Sequence, residues 1–407
     1  MNKLKLIKRS LNSRIAYLCG KTAINIKASG FIKEAMLYFL AETRAAYRGE
    51  RPVFWCSTFV PPELIYALGG VPFMPEVAAG FSATMGFADE IIALGESNWL
   101  NSDLCSIHRC GMGLTLQDLM PEPDYIIAAS HLCDGAKKYL QKISMLYDCP
   151  FYLLDTPYDI NNADWLAEQI KKLVKEINCH KVDFESVFAY SNRAYIYHLQ
   201  INEMRKSSPS IISGERIMNL VPMNFMSFGS KAGVDFYRKL AVELKKRQSG
   251  NYSIVKGEKY RLFWLHLKPY YPQQIFTTLR DMGAVISFEE YSQLYWQSLD
   301  YRTPYLSLAR KMINHFGWGP LDNQLKGIYE IINEYDIDGV IGFSHWGCRQ
   351  SSGRMDLIKK NLLSNQTPFL NLDGDLIDSR NYREGQLRTR LQAFIELLAG
   401  RQGAGVC

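Results

Sequence analysis

The chain has 407 residues, 47% of them hydrophobic and 22% charged, which is ordinary for a globular protein with room for two or three domains. Its formal net charge of +6 is mild and reads as a scattered basic surface, so no nucleic-acid partner is expected. No apolar run approaches the roughly 18 residues that span a bilayer, and Arg14 interrupts the basic N-terminus before a signal-peptide core forms, so a cytoplasmic protein without membrane association is expected.

Residues 1 to about 50 read as helical, with Ile32, Ala35, Met36, Phe39 and Leu40 at helical spacing. PVFWCSTFV then opens a strand. Pro61-Pro62-Glu63 starts a helix, because proline suits a first turn and an acidic residue there meets the positive end of the dipole. Gly69-Gly70 ends that helix and VPFMP is the next strand. The Ala-, Gly- and Ser-rich stretch from Gly80 to Leu100 fits either a loop or a short helix. Ser102 to Gly113, SDLCSIHRCGMG, reads as a Gly-containing loop, with a helix from about Leu114. YIIAAS is a strand, Lys137 to Tyr147 a helix, PFYLLDTP a strand and Asp164 to Ile177 an amphipathic helix.

From about Glu185 to Gln248 the periodicity is helical, broken near Ser207 to Ser213 and at Pro222. KYRLFWLHLKP and AVISFEE are strands flanking a helix from Gln273 to Met282. Tyr291 to Trp318 lacks a regular pattern until Ser307 to His315. Leu321 to Glu334 is a helix, GVIGF a strand, Met355 to Leu363 a helix, PFLNLDGD the last strand and Arg388 to Leu398 a closing helix. Alternating strands and helices predict doubly wound parallel sheets. The expected division is an N-terminal helical segment (1–50), a first α/β domain (51–184), a helical connection (185–258) and a second α/β domain (259–407).

The two α/β stretches echo each other. YIIAASHLCDG (125–135) and GVIGFSHWGCRQSSG (339–353) are both apolar runs that end in Ser, His and Cys. Each is followed by a helix and then by PFYLLD (150–155) or PFLNLD (368–373). Upstream, Phe54-Trp55-Cys56 with VPFMPE pairs with Phe263-Trp264-Leu265 with AVISFEE. A shared order of four segments indicates a duplicated unit. Polar residues at the C-terminal ends of parallel strands sit where open α/β sheets bind ligands, so the crevice between the units is the expected site.

Nine cysteines without a secretion signal are free thiols, metal ligands or catalytic groups, not a disulfide framework. Cys56, Cys105, Cys133 and Cys348 fall at strand ends or in a Gly-containing loop, and Cys110 lies beyond Cys105. Thiolates favour iron–sulfur clusters or zinc, whereas a cysteine can equally be a small buried hydrophobe, the reading taken for Cys19, Cys149 and Cys179. His131 and His345 fit ligands, proton donors or structural histidines. No dinucleotide fingerprint, P-loop or HExxH is present.

CSTFVPPELIYALGGVPFMP resembles the N-terminal signature of the 2-hydroxyacyl-CoA dehydratase family, which includes benzoyl-CoA reductase subunits and double-cubane cluster proteins. CSIHRCGMG resembles its second cysteine segment. SHWGCRQSSG with PFLNLDGDLIDSRNYREGQLRTRLQAFIELL resembles its C-terminal segment, most closely in the double-cubane branch. The resemblance implies two flavodoxin-like (Rossmann-like) domains with an iron–sulfur cluster between them. It implies that the cluster takes a low-potential electron from an ATP-dependent activator protein, for reduction or dehydration of a small or CoA-linked substrate in anaerobic metabolism. It further implies Cys56, Cys105, Cys133 and Cys348 as metal ligands and a homodimer or a sister subunit as assembly. The thiol count favours a [4Fe-4S] cluster over a double cubane. Glu63, on the first helix after Cys56, is a candidate acid or base, or else a helix-dipole partner. His345 is a candidate proton donor, and Arg349 a candidate for binding an acidic substrate group or pairing with cluster charge. A zinc protein and a non-catalytic α/β ligand-binding protein are the alternatives.

Overall fold

The computed structural model describes residues 18, 20–22, 24–25, 30–48, 50–98, 100–178, 182–250 and 252–404. Cys19, Cys179, Cys407 and most of the basic N-terminus lie outside them.

Eight strands form two four-stranded sheets. The first contains β1 (Val53–Cys56), β2 (Val71–Phe73), β3 (Tyr125–Ala129) and β4 (Phe151–Leu154), in the order β2-β1-β3-β4. The second contains β5 (Tyr260–Leu265), β6 (Ala284–Glu289), β7 (Gly339–His345) and β8 (Phe369–Gly374), in the order β6-β5-β7-β8. Every pairing is parallel. The shared order is that of a flavodoxin-like sheet, with its switch point between the first and third strands. The sequence echo is therefore a structural one, and the chain is a pair of Rossmann-like α/β units. The strands β1, β5, β6 and β7 are buried along their whole length, as parallel strands covered by helices on both faces must be. Thus Phe54 and Cys56 join one apolar cluster while Val53 and Trp55 join another.

The helices follow the sequence pattern with two exceptions of interest. Gly80 to Leu100 resolves into two helices, Pro75–Met85 and Ala88–Asn98. The stretch expected as a loop up to Leu114 is instead a helix, Ser106–Leu116. Its glycines are contact residues, not breakers: a Cβ on Gly113 would lie 2.1 Å from the Ile91 carbonyl oxygen, and one on Gly95 would lie 2.1 Å from that of Arg109. The two helices touch backbone to backbone, and only glycine permits that approach.

Between the two sheets in chain order come the long helices Phe184–Met204 and Lys231–Ser249, packed together, with the short helices Gly214–Met218 and Val221–Met226 between them in sequence. Arg205, at the end of the first, forks onto Glu289 of β6 at 2.9 and 2.6 Å, with both side chains out of water. The two units are also joined directly. Arg109 of the first pairs with Glu96 and reaches Asp378 at 3.4 Å and Asp375 at 3.9 Å in the second. Arg380 returns to Glu96 at 2.7 Å. One apolar cluster runs through both units, including Trp55 and Ile126 of the first sheet and Trp264 and Ile341 of the second. Among the described residues no helix is long and apolar enough to cross a membrane.

Candidate functional site

The C-terminal strand ends of both sheets face one cavity of about 790 Å³. Thr58 and Phe59 follow β1, Glu76 follows β2, Leu132 and Cys133 follow β3, His266 follows β5, Tyr291 follows β6, Cys348 follows β7, and Leu376 and Ile377 follow β8; all line it. Two wall residues, Leu132 (φ 67°) and His266 (φ 75°), hold left-handed backbone that side chains disfavour. Strain of this kind persists only where surrounding packing enforces it.

Three thiols meet at this wall: Cys105, Cys133 and Cys348. Each is the N-cap residue of a helix: Ser106–Leu116, Asp134–Tyr147 and Arg349–Ser364 respectively. Three helix N-termini, with their unpaired N–H groups and positive dipole ends, are thus turned on the same place. The Ala136 N–H already donates to Cys133 Sγ at 3.3 Å. Desolvation holds all three thiols protonated in the metal-free protein, Cys133 at about 12, and Cys105 is raised furthest because ionising it beside Cys133, Cys348 and Asp375 would crowd negative charge. Gly347 makes the convergence possible. Its φ is 75°, and a Cβ there would lie 2.4 Å from the Cys105 backbone nitrogen. Among the described residues no three His, Cys, Asp or Glu side chains are placed to hold one metal ion.

His345, the last residue of β7, lies beside these thiols. The Leu376 N–H donates to its Nδ1 at 3.2 Å, which leaves the proton on Nε2. That nitrogen is 3.2 Å from Cys105 Sγ and donates to it. Burial keeps the ring neutral by lowering its pKa. His108, at about 4, and His266 and His315, well below the usual range, are neutral for the same reason. Fixed neutral tautomers supply directed donors without adding charge.

Three glutamates line the cavity; Glu34 pairs with Lys239 and Glu243 with Arg247, which leaves Glu76 as the one without a basic partner among the described residues. It stands in the first turn of Pro75–Met85 with Oε2 buried and unpartnered. Desolvation raises its carboxyl to about 7, against the pull of its own N–H and that of Thr58. Arg354 also lines the cavity, but its guanidinium is bound to Glu290 at 2.7 Å, and Glu290 in turn accepts the His266 N–H at 2.8 Å. At the cavity's rim stand Arg216, Arg238, Lys239, Lys246 and Arg247.

The other residues singled out from sequence lie elsewhere. Cys56 is fully buried in the apolar core, its Sγ 3.7 Å from the Phe54 carbonyl, and does not line the cavity. Cys110 is buried among core residues and does not line the cavity. Glu63 is buried away from the cavity, taking hydrogen bonds from Ser191 at 2.6 Å and Lys311 at 2.7 Å. Arg349 is exposed at a helix N-terminus; Arg354, one and a half turns on, is the arginine that reaches the wall. Glu76 had no distinguishing sequence signal beyond a place just past β2, and Arg354 none beyond a place in the helix that follows β7.

The family model for the 2-hydroxyglutaryl-CoA dehydratase D-component matches residues 57–398. The (R)-phenyllactyl-CoA dehydratase alpha subunit of Clostridium sporogenes is 24% identical over 383 residues, 88% of this chain and 92% of that protein. The lactoyl-CoA dehydratase subunit alpha of Anaerotignum propionicum is 22% identical over 416 residues, covering 91% and 97%. The (R)-2-hydroxyisocaproyl-CoA dehydratase alpha subunit of Clostridioides difficile is 25% identical over 378 residues, covering 86% and 91%.

Proposed function

The chain belongs to the 2-hydroxyglutaryl-CoA dehydratase D-component family, and we propose that it is the dehydratase subunit that removes water from an (R)-2-hydroxyacyl-CoA thioester, using a [4Fe-4S] cluster held by Cys105, Cys133 and Cys348. One observation carries this reading: three thiols, each capping a helix, line one cavity between two α/β units. A polynuclear cluster draws its thiolates from separate corners, so they need not stand close enough to share a single ion. When bound, a cluster with three thiolate ligands supplies one-electron chemistry and one iron without a protein ligand. We assign its electron to an ATP-dependent activator and its working assembly to a pair with a sister subunit, in line with relatives named as alpha subunits.

The protein's own residues do the rest. The helix N-termini at the three cysteines favour the thiolate form once metal displaces the protons. His345 fixes Cys105 by its Nε2–H and takes no part as a free proton donor. Glu76 is the proton-transfer group: its carboxyl titrates near neutral pH and its Oε2 is unspent. Overall the 2-hydroxyl and one hydrogen from C3 leave as water, with no net oxidation. The basic rim receives the phosphates of the coenzyme.

The test is anaerobic purification followed by iron and sulfide analysis. The reading expects about four irons per chain and a broad absorbance that bleaches on reduction. Serine at Cys105, Cys133 or Cys348 should lose most of the iron, and serine at Cys56 or Cys110 should not. Stoichiometric zinc, or full iron in the Cys348→Ser variant, would overturn it.

A further inference from the structure

Five aromatic side chains close a circuit in the cavity wall. Phe59 meets Phe225 at 6.0 Å, Phe225 meets Tyr291 at 5.9 Å and Tyr291 meets Phe316 at 5.4 Å. Phe316 meets His315 at 4.2 Å, and His315 returns to Phe59 at 5.0 Å. All but one of these contacts are edge-to-face, at 77° to 90°, the arrangement ring quadrupoles prefer. The rings come from separate places: the loop after β1, the helix Val221–Met226, the turn after β6 and the loop after the helix Pro304–Ile313. All five line the cavity, and the four carbocyclic rings are half-buried, so they keep free surface toward it.

This collar adjoins the thiols. Leu132, next to Cys133, lies 3.1 Å from the point a Cβ on Gly317 would occupy, one residue past Phe316. Gln350, two residues past Cys348, donates to the Gly317 carbonyl at 3.2 Å. A group bound at the thiols therefore has the collar as its neighbour.

The collar is also poor in usable charge. Among the described residues lining the cavity, the cations other than Arg354 are the five on the rim, and the charge of Arg354 is already balanced by Glu290, with only its Nε–H left unpartnered. His315 holds one unspent Nε2 donor, since the Gly317 N–H occupies its Nδ1 at 3.1 Å. A neutral group can meet that donor, but it does not balance a carboxylate. Burying an unpaired carboxylate is costly, whereas burying a ring or branched alkyl group is favourable.

We propose that this cavity selects thioesters whose acyl side chain is bulky and apolar, aromatic or branched, and rejects those that end in a second carboxylate. The inference rests on the thioester reading above and adds the class of acyl group. The test uses unreactive saturated thioesters, so that binding is measured without turnover: 3-phenylpropanoyl-CoA, 4-methylpentanoyl-CoA, glutaryl-CoA and free CoA, titrated calorimetrically into the full-length, anaerobically purified protein. The two apolar thioesters should bind at least about tenfold more tightly than glutaryl-CoA. Phe225→Leu, which keeps most of the volume, should reduce the preference for the phenyl group while leaving free CoA affinity unchanged. Phe225→Arg should raise glutaryl-CoA affinity, a gain that misfolding does not produce. Equal affinity for glutaryl-CoA and the phenyl compound in the unaltered protein would overturn the inference but leave the thioester reading standing. Failure of all three thioesters and of CoA to bind would overturn both.

Discussion

Replacing Glu76 with glutamine should make the metal-free protein more stable at neutral pH while removing its activity when loaded. The carboxyl is lifted from 4.5 to about 7 because burial disfavours its charge and Oε2 finds no partner. At about 1.4 kcal/mol per pH unit, the charged form burdens the fold by about 3 kcal/mol. The sign follows from the raised folded-state value. Below pH 4.5 the group is protonated in both states and adds no penalty. Stability is lost as pH rises from 4.5 to about 7, and above that the loss is constant. Glutamine carries no such term, so the two proteins should match in urea denaturation at pH 4.5 and separate by up to about 3 kcal/mol at pH 8. In the iron-loaded protein the same substitution should lower turnover by roughly 10²- to 10⁴-fold, the usual weight of a proton-transfer group. Stability curves that run parallel from pH 4.5 to 8 would refute the burial argument, and retained turnover would remove Glu76 from the chemistry.

Three further outcomes follow from the same geometry. Gly347→Ala places a Cβ against the Cys105 backbone at positive φ; it should cost about 2–4 kcal/mol and reduce iron incorporation, read by melting temperature and iron analysis. His345→Ala removes the N–H donor to Cys105 and should move the midpoint potential of the loaded protein negative in an EPR-monitored titration; an unchanged midpoint would refute that role. Glu63→Gln leaves the buried Lys311 without its counter-charge, so it should lose about 3–5 kcal/mol of stability with the turnover of the remaining folded enzyme unchanged; a selective loss of turnover would restore Glu63 as a catalytic candidate.

Much of the architecture could be read without coordinates. Continuous apolar runs that stop at small polar residues mark buried parallel strands, because such strands are covered on both faces and their last residues emerge into loops. For the same reason Cys133 and Cys348, just beyond β3 and β7, were legible as residues of a strand-end site. The loop expected over Ser102–Gly113 is a helix because its glycines serve packing: Gly113 lets Ile91 of the helix Ala88–Asn98 approach, and Gly111 makes room for Tyr139 of the helix Asp134–Tyr147.

What the chain determines by itself is local: which segments are apolar, where they end, and that the pattern occurs twice. Tertiary packing decided which groups reach the cavity, because side-chain direction depends on partners remote in sequence. Both faces of β1 are apolar, so nothing local says that Cys56 turns into the core. Glu63 and Glu76 each stand in the first turn of a helix begun by proline. They differ because Lys311, 248 residues away, neutralises the first, while the second has no cationic partner among the described residues.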